Sequence, residues 1–217
     1  MADPSQVDEM VREVRGFAAH MGWRAWTVAE LVELGQIAPI EGLRGVTVEV
    51  AVGCEPVDLH VSEEGQFVNH VFYRYVRDIE ARRAYFATLR AGMIARGEDP
   101  DQAGLDPDAP GSVLFKGAAY NWTKTQNGGA EAHIQVCTLL GFVRDRFAPE
   151  LEVIDETGYF DSGDLAAVER QMATVSRYVR ELSRETEPVH GRASASRLED
   201  LLARMRRYTR DARERAN

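Results

Sequence analysis

Residues 45–72 read GVTVEVAVGCEPVDLHVSEEGQFVNHVF, and the period of this stretch decides the fold class. Val46, Val48, Val50 and Val52 alternate with Thr47, Glu49 and Ala51, the pattern of a strand with one wet face. Gly53-Cys54-Glu55-Pro56 turns the chain. Val57, Leu59 and Val61 then alternate with Asp58 and His60 as a second strand. Ser62-Glu63-Glu64-Gly65 turns it again, and 66–72 continues as a third strand. Two short turns in succession imply a three-stranded antiparallel meander.

The flanks change period from two to about 3.6. Upstream, Val7, Met10, Val11, Val14, Phe17 and Met21 repeat at the three-four spacing of a helix with one buried face. Thr27 and Glu30 form a capping box that opens a short helix, with Val28, Leu31 and Val32 inward and Gly35 at its end. Trp23 and Trp26 fall in the connection and staple the two helices. Downstream, a helix starts near Tyr73 or Asp78 and runs to Arg96, burying Val76, Ile79, Phe86, Leu89 and Met93. The segment GEDPDQAGLDPDAPG (97–111) reads as an exposed loop, and Pro100 and Pro107 interrupt the alternating acids that a calcium loop needs.

Further on, 120–125 reads as a short strand and Asn127-Gly128-Gly129 as a break. A helix follows to Phe147 with Val136, Leu139, Leu140, Val143 and Phe147 buried. Residues 151–155 read as another short strand, and Asp161 or Ser162 caps the next helix. In that helix Leu165, Val168, Met172, Val175, Val179 and Leu182 make a heptad-like seam over 165–182. The expectation is an α+β fold. An antiparallel meander, extended by the strands at 120–125 and 151–155, is packed by four to five helices. Residues 1–186 form one domain, 187–196 a linker, and 197–217 an appended Arg-rich amphipathic helix.

The charge of −9 over 217 residues argues against nucleic acid as a partner, since phosphate contacts need a basic face. The 197–217 helix carries a local excess of three positive charges, but its interleaved acids and apolar edge suit docking on protein. No apolar run is long enough to span a bilayer, and the N-terminus lacks the pattern of a signal peptide. Location in the cytoplasm is the expectation, and the Arg-, Ala- and Gly-rich, Lys-poor composition points to a bacterial source. Cys54 and Cys137 show no paired or zinc-type spacing.

Chemistry-bearing residues crowd into 120–161. Lys124, Thr125, Gly128 and Gly129 border a helix start, where backbone N–H groups make a ligand site for an anion. His133, one turn into that helix, is the candidate general acid or base. Asp155, Glu156 and Tyr159 follow in a loop, and one of the two acids is its candidate partner. Adjacent residues on a strand point to opposite faces, so Asp155 and Glu156 do not both reach His133. His60 and His70 read as a structural pair on the sheet surface. There is no P-loop, GxGxxG, GxSxG, HxH or HExxH pattern, so neither a metal nor a cofactor is expected.

These features leave two functional classes. The first is a non-catalytic interaction or regulatory module, docking on a partner or on itself through the 165–182 seam and the 197–217 helix. The second is a small enzyme or ligand-binding protein for a phosphate- or carboxylate-bearing substrate. It would use the 124–133 turn and the 155–161 loop. The absence of a complete catalytic set places the first ahead.

Overall fold

The structure, a computed structural model, describes residues 4–103, 106, 108 and 113–182. The fold is α+β: three antiparallel strands with helices on both faces. The chain opens with helix α1 (Val7–Met21), whose stripe of Val7, Met10, Val14, Phe17 and Met21 is buried. Gly22 ends α1 in the left-handed region at φ 76°, returning its N–H to the Ala18 and Ala19 carbonyls. Strand β1 (Arg24–Thr27) runs directly into α2 (Val28–Glu33). The capping box is present: Glu30 N–H donates to Thr27 Oγ1 at 3.1 Å, and Thr27 N–H donates to Glu30 Oε2 at 2.7 Å.

Strands β2 (Arg44–Glu49) and β3 (Val57–Val61) complete a sheet of order β1-β2-β3. The meander therefore exists, but its membership differs from the expected one. Trp26 lies in β1 opposite Thr47, not in a linker. The expected third strand at 66–72 pairs with β3 only through one bridge, Val61 to Phe67. Its competitor is local. The Asn69 side chain accepts the N–H groups of Val71 and Phe72 and starts helix α3 (His70–Arg77) there.

Period two then sorts the sheet. Val46, Val48, Val57, Leu59 and Val61 face a core shared with α1 and with helix α6 (Gly129–Arg146), in which Phe17 stacks on Phe142 at 5.1 Å. Thr47, Asp58 and His60 face the other side, against α3. A smaller apolar cluster covers that region, built from Val28, Leu43, Val68, Tyr73 and Ala118. Gly45 is pinned at φ 134°, where a Cβ would overlap the Leu59 carbonyl oxygen and sit 2.8 Å from His60 Cα.

Other expectations shift in detail. The long helix at 73–96 is two: α3, then α4 (Ile79–Ala95), separated by Asp78, whose extended backbone and side-chain cap restart the chain. Helix α5 (Val113–Ala118) precedes 120–125, which is no strand. That segment lies beside β3, clasped by the Asn121 side chain donating to the carbonyls of Asp58 and Val68, each at 3.1 Å. Residues 151–155 are likewise outside the sheet. A single turn, α7 (Tyr159–Ser162), leads to α8 (Leu165–Leu182). Asp164, not Asp161 or Ser162, caps α8, because Gly163 in the left-handed region breaks the backbone between α7 and α8.

The first half of the 165–182 seam packs on its own chain, with Val168 fully buried and Leu165 against the main core. The 187–196 linker and the 197–217 helix lie outside the described residues. Among the described residues no helix is long and apolar enough to cross a membrane.

Candidate functional site

The described residues build two polar centres, one anticipated as a site and one read in the sequence only as a structural histidine pair. The anticipated centre forms around α6. His133 sits one turn into the helix and is nearly buried, with partners at both ring nitrogens. Its Nδ1 meets Thr125 Oγ1 at 2.9 Å. Its Nε2 meets Thr157 Oγ1 at 3.0 Å and Asp155 Oδ1 at 3.1 Å. The hydroxyl of Thr157 donates to the Asp155 carboxylate at 2.9 Å, so its oxygen accepts from His133 Nε2–H. That assignment leaves Nδ1 to accept from the Thr125 hydroxyl, and every member of the network is used.

Asp155 also accepts the N–H groups of Thr157 at 2.8 Å and Phe160 at 2.9 Å, so it caps the turn into α7. Burial pushes its carboxyl upward. The backbone N–H groups of Phe160 and Thr157, the Thr157 hydroxyl and His133 outweigh that and hold it below the ordinary value of 3.8. Cys137, one helical turn beyond His133, places Sγ 3.5 Å from His133 Nε2 and 3.9 Å from Asp155 Oδ2. Burial, and then the Asp155 charge, push the thiol up to about 12, so it is no thiolate nucleophile at neutral pH.

Of the remaining expected site residues, Tyr159 touches this centre, donating its N–H to Thr157 Oγ1 at 3.1 Å, and Lys124, Gly128, Gly129 and Glu156 stand outside its side-chain network. Lys124 is exposed and pairs with Glu55 at 3.6 Å. Gly128 donates its N–H to the Thr125 carbonyl at 2.9 Å, and a Cβ there would strike Cys54 Sγ. The turn thus spends on itself one of the groups an anion would need. Gly129 opens α6 at φ 77°. Glu156 is exposed. Tyr159 stands edge-on to His133 at 6.4 Å and, with Cys137, Phe142, Arg144 and Phe160, lines a groove of about 320 Å³ between α6 and α7.

The second centre lies on the opposite face of the sheet. Asp58 and His60 are two residues apart on β3 and share a face, and His70 is the first residue of α3. Asp58 Oδ2 lies 3.5 Å from His70 Nδ1, and Asp58 Oδ1 lies 3.8 Å from His60 Nε2. The two imidazole rings meet at 5.0 Å and 61°. Thr47 Oγ1 donates to Asp58 Oδ1 at 2.6 Å, so its oxygen accepts from His60 Nε2–H at 2.9 Å. His60 Nδ1 is then a bare lone pair on a fully buried ring. Among the described residues neither it nor His70 Nδ1 has a hydrogen-bond partner, and His70 Nδ1 has only the longer ion-pair contact with Asp58.

Burial pushes His60 down to about 4 against the opposing pull of the Asp58 charge, so its ring is neutral at neutral pH. Asp58 is held below 3.8: burial raises it, and the contacts with His70, His60 and Thr47 together outweigh burial. Both triplets, His133–Cys137–Asp155 and Asp58–His60–His70, hold their donor atoms within 4.8 Å of one another.

Sequence reasoning missed Cys137, Thr157 and the approach of Asp58 to His60 and His70. The signals were present as spacings, four residues between His133 and Cys137 on a helix and two between Asp58 and His60 on a strand. The chain matches no protein-family model, no curated protein and no solved structure.

Proposed function

We propose that this chain is a small ligand-binding protein, of the enzyme or ligand-binding class, whose working centre is Thr47–Asp58–His60–His70. The observation that carries this reading is the convergence of two imidazoles on one carboxylate, with His70 Nδ1 3.5 Å and His60 Nε2 3.8 Å from Asp58 and no hydrogen bond to His70 Nδ1 among the described residues. An unsatisfied buried polar atom costs about 1–3 kcal/mol, so a ligand that engages His70 Nδ1 recovers part of that cost. Access supports the same reading. Asp58 and His70 are each about a quarter exposed, at 26% and 22% of the side chain. Exposed Val71, Tyr120 and Trp122 flank them, and Asn121 ties its segment to the Asp58 carbonyl.

The α6 centre serves this reading as scaffold. A general base needs a nitrogen within reach of substrate, and both nitrogens of His133 are engaged inside the protein. The docking class retains only the part of its seam beyond the buried Val168 and the 197–217 helix as its elements.

The test is a thermal-shift series on the full chain with zinc chloride, sodium phosphate and sodium acetate as probes. At least one raises the melting temperature of the native chain, and His70→Ala and Asp58→Asn each remove that rise. A chain that responds to none of the probes, or variants that respond as the native chain does, would overturn the reading.

A further inference from the structure

We infer that the ligand of the sheet centre is a divalent transition-metal ion, zinc foremost, held by Asp58, His60 and His70. The inference rests on the sheet centre being the working one and names what it binds. Two imidazoles and one carboxylate are a borderline donor set that suits zinc and its first-row neighbours, whereas calcium needs six or more oxygens.

The geometry is close to what such an ion requires. With metal–nitrogen and metal–oxygen bonds near 2.0–2.2 Å, neighbouring donors in a tetrahedral shell stand roughly 3.3–3.5 Å apart. Asp58 Oδ2 lies 3.5 Å from His70 Nδ1 and Asp58 Oδ1 lies 3.8 Å from His60 Nε2, and one donor atom from each residue falls within 4.8 Å of the others, so closure needs the side chains to draw in by about an ångström. His70 Nδ1 has no hydrogen bond to give up. Freeing His60 Nε2 requires that it give up its bond to Thr47 Oγ1 and that the ring carry its hydrogen on Nδ1, which has no competing partner among the described residues. Thr47 keeps donating to Asp58 and acts as the outer partner that orients a ligating carboxylate.

Three protein ligands leave a fourth position, on the side where Asp58 and His70 reach solvent. The α6 triplet lacks this character, because both nitrogens of His133 and the Asp155 carboxylate already have protein partners.

The experiment uses the full chain stripped of metal with a chelator, then titrated with cobalt(II) and followed by absorption. Zinc affinity is measured by competition with a chromophoric indicator, and each variant is checked for native circular dichroism. One ion binds per chain, with cobalt d–d bands and without the intense near-ultraviolet band of a thiolate ligand. Asp58→Asn and His70→Ala each weaken zinc binding by more than about 100-fold, beyond the roughly 10–100-fold cost of losing an outer partner, which is the range for Thr47→Val. Cys137→Ser changes nothing.

A thiolate band lost in Cys137→Ser would overturn the inference by moving the ion to α6. Native chain that binds neither metal would overturn it as well. If phosphate or acetate still produced a His70-dependent thermal shift in that case, the sheet centre would remain a ligand site for a different ligand. If they did not, the functional reading would fall with it.

Discussion

The two polar centres use nearly the same parts and reach opposite states. Each has a buried histidine, an aspartate and a threonine hydroxyl. Around α6, Thr157 closes the circuit between His133 and Asp155, Thr125 takes the second ring nitrogen, and backbone N–H groups saturate the carboxylate. Behind the sheet, Thr47 makes the same bridge between His60 and Asp58, but no second hydroxyl meets His60 Nδ1 and no backbone donor is aimed at His70 Nδ1. A closed hydrogen-bond circuit fixes structure, and an open one holds a place for something from outside.

That contrast predicts unequal responses to substitution. The largest effect is expected for His133→Ala, which empties a nearly buried position and removes the bonds to Thr125 and Thr157, and should cost about 3–5 kcal/mol in urea unfolding. A loss under about 1 kcal/mol would mean that the α6 network is not what joins the 125 and 155 segments. Asp155→Asn follows, at on the order of 2 kcal/mol near neutral pH, because hydrogen bonds to a charged acceptor are lost. Its pH dependence has a definite sign. The folded pKa of Asp155 lies below the ordinary value of 3.8, so the folded state binds fewer protons than the unfolded state between the two. The stabilisation is full above 3.8 and lost as pH falls through the folded pKa, so the gap between native chain and variant narrows in acid.

Thr27→Ala, remote from both centres, calibrates the scale at about 1 kcal/mol for a lost capping box. The smallest effect is expected at the sheet centre. His60→Leu in metal-free chain should cost less than about 1 kcal/mol, since it removes an unsatisfied nitrogen while Thr47 keeps its bond to Asp58. A cost as large as that of His133→Ala would erase the distinction between the centres.

Where periodicity was strong, the sequence was a reliable guide. The buried stripe of α1, the Thr27–Glu30 box, the helix behind Gly128 and the strand that follows Pro56 lie where spacing put them. The errors came from short segments. Residues 24–27 are too few to show alternation, and Trp26 looked like a staple between helices until its pairing with Thr47 placed it in the sheet. Residues 66–72 alternate well enough for a strand, yet one Asn69 side chain, by capping two N–H groups, turned them into a helix start. The pairing of His133 with Asp155 could be guessed because a helix phase and a following loop limited the options. At the sheet centre the His60–His70 pair was legible, but the approach of Asp58 to His70 was not, because it depends on α3 folding over β3.

Gly45 carries a consequence for the ancestry of this chain. It is the register partner of His60, and its missing side chain is what lets β2 approach the backbone there. Any substitution would push β3 away and carry Asp58 and His60 with it. A lineage can therefore let its surface drift, but it cannot give up this glycine and keep the pair. The combination of Gly45 with an Asp-x-His thirteen residues on is a fingerprint by which distant kin, otherwise too diverged to align, can be sought.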